Sequence, residues 1–243
     1  MRQTKIIMGM PITVEIIGKS DPADIGRIFD YFTQVDEQFS PYKKTSELAK
    51  LNDGLKKEDW SVDMAEVMEL CSQTKDETNG FFNIEFDGRI DTSGLVKGWA
   101  IQKAAVKLAA MGYQNFYVEA GGDIQTAGFD QGRNYWKVGI RNPFNIDEIV
   151  KTVKLSGNAI ATSGAYIRGE HIYNPVTKTI SQSVSSLSVI SESIYDADRF
   201  ATAAYAMGKE GIDFINERAG LEGYMVLSNG TAVFTEGFEN YVV

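Results

Sequence analysis

The chain has 243 residues, 43% of them hydrophobic, which suffices to bury a core without covalent or metal staples. Its formal net charge of −9 and sequence pI near 4.8 exclude a general nucleic-acid binder. An anionic ligand would have to be met by local devices: a metal ion, one or two lysines, or backbone amides in Gly-rich turns.

The N-terminal MRQTKIIMGMPITVEIIG alternates apolar and polar residues, with no long apolar run and no small-residue cleavage site, and predicts a first strand rather than a signal peptide. No later stretch approaches membrane-spanning length, so a cytoplasmic location is expected, subject to any export segment removed upstream of Met1. Asp21 and Pro22 open a helix whose apolar positions Ile25, Ile28, Phe29, Phe32 and Val35 recur at helical spacing to about Gln38. FSPYKKTSELAKLN then reads as a loop and a short helix. A further helix is expected from Met64 to about Asn79, stopped by Gly80. The single Cys71 on it can form no internal disulfide and reads as an ordinary buried thiol beside Met68 and Leu70. The next helix begins near Leu95 and ends at Gly112.

From Asn115 the pattern changes to short alternations between Gly, Asn and Pro turns: FYVEAGG, DIQTAGF, YWKVGIRNP, IVKTVKLSG, AIATSG, HIYNPVT and VSSLSVIS. Such turns favour antiparallel over parallel strands. Two helices, about Asp196 to Met207 and Lys209 to Arg218, precede final strands at EGYMVLS and TAVFT. The expected fold class is α+β, an antiparallel sheet packed with helices, as one unit over residues 1–243 with no linker. An organisation in two similar halves stays open.

Four segments carry chemistry. Asp91-Thr-Ser-Gly-Leu-Val-Lys-Gly98 is a polar, Gly-bearing opening of a helix, with unpaired amides, a favourable dipole end and a mobile cation at Lys97; it suits a phosphate, or is simply a capped helix. Gly121 and Gly122 follow a strand and lead to Asp123, as a tight hairpin or a close approach to ligand, and Thr162-Ser163-Gly164 poses the same choice. In YDADRFATAA, Asp198 and Thr202 lie four apart on one helix face among small residues. As buried oxygen ligands they would suit Mg²⁺; alternatively Asp198 caps or pairs with a nearby cation. His171 is the only histidine, structural or, if a base near neutral pH is needed, a candidate for that role.

Taken in order, MGMP, FSPY with SELAKLN, GFFN, DTSGLVKGWA, AGGDI, WKVGIRNP, ATSG, HIYNPVT and DADRFATAAYAMG resemble the ApbE family of FAD:protein FMN transferases over nearly the whole chain. The resemblance implies a T-fold-like architecture and an enzyme that splits FAD. FMN is moved onto a Thr or Ser hydroxyl of an acceptor flavoprotein, and AMP leaves. Carried over, Asp198, Thr202 and the Gly94 carbonyl would ligate Mg²⁺. Met8, Tyr42, Phe81, Phe82, Asn83, Asp91, Lys97 and Ile172 would contact FAD, with the Tyr42 ring against the flavin. Lys97, Asp198 and His171 would be catalytic, His171 as base for the incoming hydroxyl. Met10, Asn83, Glu119 and Asn174 depart from the family's usual residues, and Asn174 removes a carboxylate near His171. The implied alternatives are a FAD pyrophosphatase, with water as acceptor, and a flavin-binding or delivery protein without turnover.

Overall fold

A computed structural model describes residues 1–164, 173–176, 179, 180 and 182–243. The N-terminal alternation is two strands, not one: β1 (Arg2–Ile7) and β2 (Met10–Ile16) pair antiparallel around Met8 and Gly9. Both turn residues have positive φ, 56° and 72°, the conformation a two-residue hairpin turn needs to match the strand twist. Apolar alternation continues through the turn, which is why it reads as a single strand.

The helices fall close to their expected positions. α1 (Pro22–Phe39) starts where Asp21 Oδ1 accepts the Ala23 N–H at 2.9 Å, with proline in the first turn. α2 (Glu47–Asn52) and α3 (Val62–Glu77) are each capped by a serine, Ser46 and Ser61. Cys71 is buried on α3, and burial pushes its thiol up to about 12. A short pair, β3 (Glu85–Phe86) and β4 (Arg89–Ile90), leads to α4 (Ser93–Ala110).

Strands then dominate: β5 (Phe116–Ala120), β6 (Asp123–Ala127), β7 (Trp136–Asn142), β8 (Asn145–Leu155), β9 (Ala159–Gly164), the two-residue β10 (Tyr173–Asn174) and β11 (Thr179–Ile180), and β12 (Val184–Ser191). α5 (Ile194–Met207) and α6 (Gly211–Asn216) separate them from β13 (Glu222–Leu227) and β14 (Ala232–Phe234). α6 is shorter than Lys209 to Arg218, because a 3-10 turn over Gly208–Glu210 replaces its first part. The turn presses Gly211 against α5 so tightly that a β-carbon there would overlap the Ala204 carbonyl.

Eight strands form one sheet in the order β1-β2-β5-β6-β9-β12-β13-β14, each pairing antiparallel. Alternate side chains serve two cores. Ile12, Val14, Val118, Ala161, Leu187 and Val189 pack with the helices, while Ile124, Ile160, Ile190, Tyr224 and Val226 pack under the β7–β8 hairpin and Phe238. Among the described residues, no helix is long and apolar enough to cross a membrane.

Candidate functional site

The site grows from a close crossing of α4 and α5 over the end of β6. α5 has no cap from its own N-terminal residue. The Ile194 N–H instead donates to Gln125 Oε1 at 2.9 Å, and Gln125 Nε2 donates to the Glu192 carbonyl at 3.3 Å, so β6 fixes where α5 begins. The two helices meet at Gly98. A β-carbon there would lie 2.7 Å from Asp198 Cβ and 3.0 Å from the Ile194 carbonyl, so only glycine permits this approach.

The contact brings Asp198 onto the backbone of α4. The Gly98 N–H, which a regular helix would direct at the Gly94 carbonyl, donates to Asp198 Oδ2 at 2.8 Å. The carboxylate thus competes with that carbonyl for the same proton. Asp198 Oδ1 lies 3.2 Å from the Lys97 ammonium. Lys97 also pairs with Asp123 Oδ2, whose other oxygen accepts the Thr162 N–H at 3.0 Å. Burial pushes the Asp198 carboxyl up to about 7; Lys97 opposes the rise and the Asp123 charge adds to it.

Among the described residues this is a dry cluster of two carboxylates and one ammonium, with side-chain exposures of 1%, 4% and 14% for Asp123, Asp198 and Lys97. Two carboxyl groups brought this close in a dry site repel one another, which a further cation would relieve. The adjacent oxygens suit a hard one. Thr202 is one turn beyond Asp198 on the same face of α5, and a β-carbon on Gly94 would lie 3.4 Å from Thr202 Cγ2 and from Phe82 Cε2. A carboxylate, a hydroxyl and a backbone carbonyl, were they to share a cation, would be an all-oxygen set of the kind Mg²⁺ takes. No three His, Cys, Asp or Glu side chains converge among the described residues, so a metal held by them would draw on hydroxyl and carbonyl oxygens too.

The loop before α4 is held from a distance. Asn52, the last residue of SELAKLN, donates to the Ile90 carbonyl at 2.9 Å and accepts the Ile90 N–H at 2.7 Å, as a neighbouring strand would. Next to it, the Asp91 N–H donates to the Ile84 carbonyl and Asp91 Oδ1 accepts the Ser93 N–H, both at 2.8 Å. Thr92 is fully buried and its hydroxyl has no hydrogen-bond partner among the described residues.

Lys97, Asp198, Gly94, Thr202 and Phe82 therefore come together, with Asp91 one turn before Gly94. Met8 sits in the β1–β2 turn against the helix-side core, Phe81 and Asn83 flank buried Phe82, and Tyr42 is 94% exposed in the loop after α1. His171 and Ile172 lie outside the described residues. The sequence does not mark Asp123, Gln125 or Asn52 as site residues; only the GGD turn hints at the first. Asn174 proves committed to the fold: its amide donates to the Ala206 carbonyl at 2.8 Å near the end of α5, a bond an ionised carboxylate cannot make. Its oxygen accepts the Val176 N–H at 2.9 Å, and Glu119 accepts the Tyr117 hydroxyl at 3.2 Å.

A model of the ApbE family matches residues 8–88 and 84–225. The chain is similar to the FAD:protein FMN transferases of Vibrio cholerae serotype O1 (33% identical over 132 residues), Rhodobacter capsulatus (30% over 154) and Salmonella typhimurium (26% over 163). These alignments cover 50%, 60% and 63% of this chain and 39%, 29% and 45% of the relatives, so the chain spans less than half of their length. Its structure is similar to the flavin transferase ApbE from Vibrio cholerae, with TM-score 0.87 and 21% identity over 99% of this chain and 98% of that one. It is also similar to the ApbE protein from Thermotoga maritima, with TM-score 0.85, the same identity, and coverage of 99% and 98%. At such identity the likeness shows a shared fold.

Proposed function

The chain belongs to the ApbE family, and from that premise and the Lys97 cluster we propose that it is a magnesium-dependent FAD:protein FMN transferase. The observation that carries the reading is the dry pair of carboxylates around one ammonium, on the same crossing of α4 and α5 where Thr202 packs beside Gly94. Asp198, Thr202 and Gly94 would hold Mg²⁺, which when bound supplies charge neutralisation to the pyrophosphate. Lys97 and Asp91 would orient the nucleotide at the opening of α4, where the amides of the first turn favour an anion. Phe81, Phe82, Asn83, Met8, Ile172 and Tyr42 would contact the rest of FAD, with the exposed Tyr42 ring available to stack on the flavin.

The acceptor's Thr or Ser oxygen forms a bond to the FMN phosphorus as the bond to AMP breaks. The hydroxyl proton passes to His171, and AMP leaves. Phosphoryl transfer of this kind asks the protein mainly for positioning and charge, which the residues at the crossing of α4 and α5 would supply.

The test is incubation with FAD, Mg²⁺ and a candidate acceptor flavoprotein. Covalent flavin fluorescence on the acceptor together with AMP is expected. Free FMN without label would replace transfer by hydrolysis, and neither product would leave only flavin binding.

A further inference from the structure

Resting on the magnesium reading above, we propose that Gln125 is a positioning residue that sets where α5 lies against α4, and through that places the oxygens of Asp198 and Thr202 for a cation. α1, α2 and α3 are each capped from their own sequence, by Asp21, Ser46 and Ser61. α5 also begins after a serine, but the Ser193 side chain makes no cap bond; its hydroxyl donates to Gln102 Oε1 on α4 at 3.3 Å. The start of α5 is therefore held by groups distant in sequence, Gln102 on α4 and Gln125 on β6.

Gln125 has a firm base for that task. It is buried on a strand paired on both sides, opposite Val118 of β5 and Ala159 of β9. Its amide brackets Ser193: the oxygen accepts the Ile194 N–H on one side, and the nitrogen donates to the Glu192 carbonyl on the other and to the Thr126 carbonyl at 3.2 Å. A carboxylate has no hydrogen to give those carbonyls, and an apolar side chain meets neither need. Ile194 lies one turn before Asp198, and its own carbonyl is among the atoms that crowd Gly98. Because the helix moves as a rigid rod over so short a span, a displacement at Ile194 is carried to the 2.8 Å bond between the Gly98 N–H and Asp198 Oδ2, and one turn further to Thr202 beside Gly94.

The experiment compares Gln125→Met, which keeps the length of the side chain and removes both hydrogen-bonding groups, with Phe238→Leu, a truncation in the core on the opposite face of the sheet. Both are read well below their melting transitions, by calorimetric Mg²⁺ titration of the FAD-free protein and by the amide resonance of Gly98 in isotope-labelled protein, two readouts separate from turnover. Gln125→Met is expected to weaken Mg²⁺ uptake about tenfold or more, as loss of a supporting partner does at other metal sites, and to shift the Gly98 amide. Phe238→Leu should leave both near wild type. Unchanged uptake or an unshifted Gly98 amide in Gln125→Met overturns the proposal, and so do equal changes in the two variants, because general loosening would then account for them. If Gln125→Met does not fold, Gln125→Asn, which withdraws the same amide by one methylene, enters the same comparison with the same outcomes. A wild-type protein that takes up no Mg²⁺ removes the magnesium assignment and the role of Gln125 towards a cation together, whereas wild-type uptake that Gln125→Met leaves intact removes the role of Gln125 alone.

Discussion

Asp198 and Arg199 are neighbours on α5, and each sits in an ionic cluster, but the two clusters treat water differently. Arg199 donates to Asp196 at 2.8 Å, pairs with Glu77, reaches Thr74, and lies 4.0 Å from the centre of the Phe200 ring. Its carboxylate partners are 34% and 48% exposed, so solvent carries part of their charge. Asp198 and Asp123 are almost fully dry. Among the described residues both clusters set two carboxylates around one cation, but only the dry one holds its carboxyl groups away from solvent. Proximity of opposite charges therefore does not mark a reactive site; the removal of water from the carboxyl groups does.

The sharpest way to break this contrast is to delete each acid. Asp198→Ala should abolish transfer while the protein stays folded, read as loss of acceptor labelling with a cooperative melt retained. Persisting Mg²⁺-dependent labelling would refute the assignment. Gly98→Ala comes next: its β-carbon would push Asp198 off α4, and a shift of about 1 Å at such a centre costs on the order of 100-fold in turnover. Normal turnover in that variant would show that the crossing has slack.

A smaller effect lies in pH. The folded Asp198 carboxyl titrates above its ordinary 3.8, near 7, so the folded protein holds this proton more tightly than the unfolded chain. Stability of the metal-free protein should be fully present below about pH 4 and decline as pH rises towards 7, with slope set by the extra proton on the native state. Melting curves across that window should flatten in Asp198→Asn. Glu77→Gln, in the wet cluster, should do least: its partly exposed ion pair with Arg199 is worth about 0.2–1 kcal/mol, seen as a small drop in denaturation midpoint with turnover nearly intact. A large loss of transfer there would mean that the Arg199 cluster also sets the position of Asp198.

What the sequence shows of this site depends on range. Asp198 and Thr202 announce themselves because four residues make one helical turn, and the boundaries of α1, α3 and α4 follow from caps and glycines in the same stretch of chain. Asp123 does not, since its meaning depends on Lys97 on one side and Thr162 on the other, joined only by the sheet. Asn52 is hidden for the same reason: an asparagine ending a helix looks like a cap until it is seen bonding Ile90 across 38 residues. The β1–β2 turn is hidden for a local reason, because Met8 is not a residue that advertises positive φ.

β6 carries Asp123 and Gln125 two positions apart, hence on one face, one serving Lys97 and the other the first N–H of α5. A slip of β6 by a single residue against β5 or β9 would turn both side chains to the opposite face, leaving the lysine and the helix terminus unmatched at once. The same two residues that furnish the site thus also proofread the pairing of the central strands, so a misthreaded sheet is penalised twice before any ligand is present.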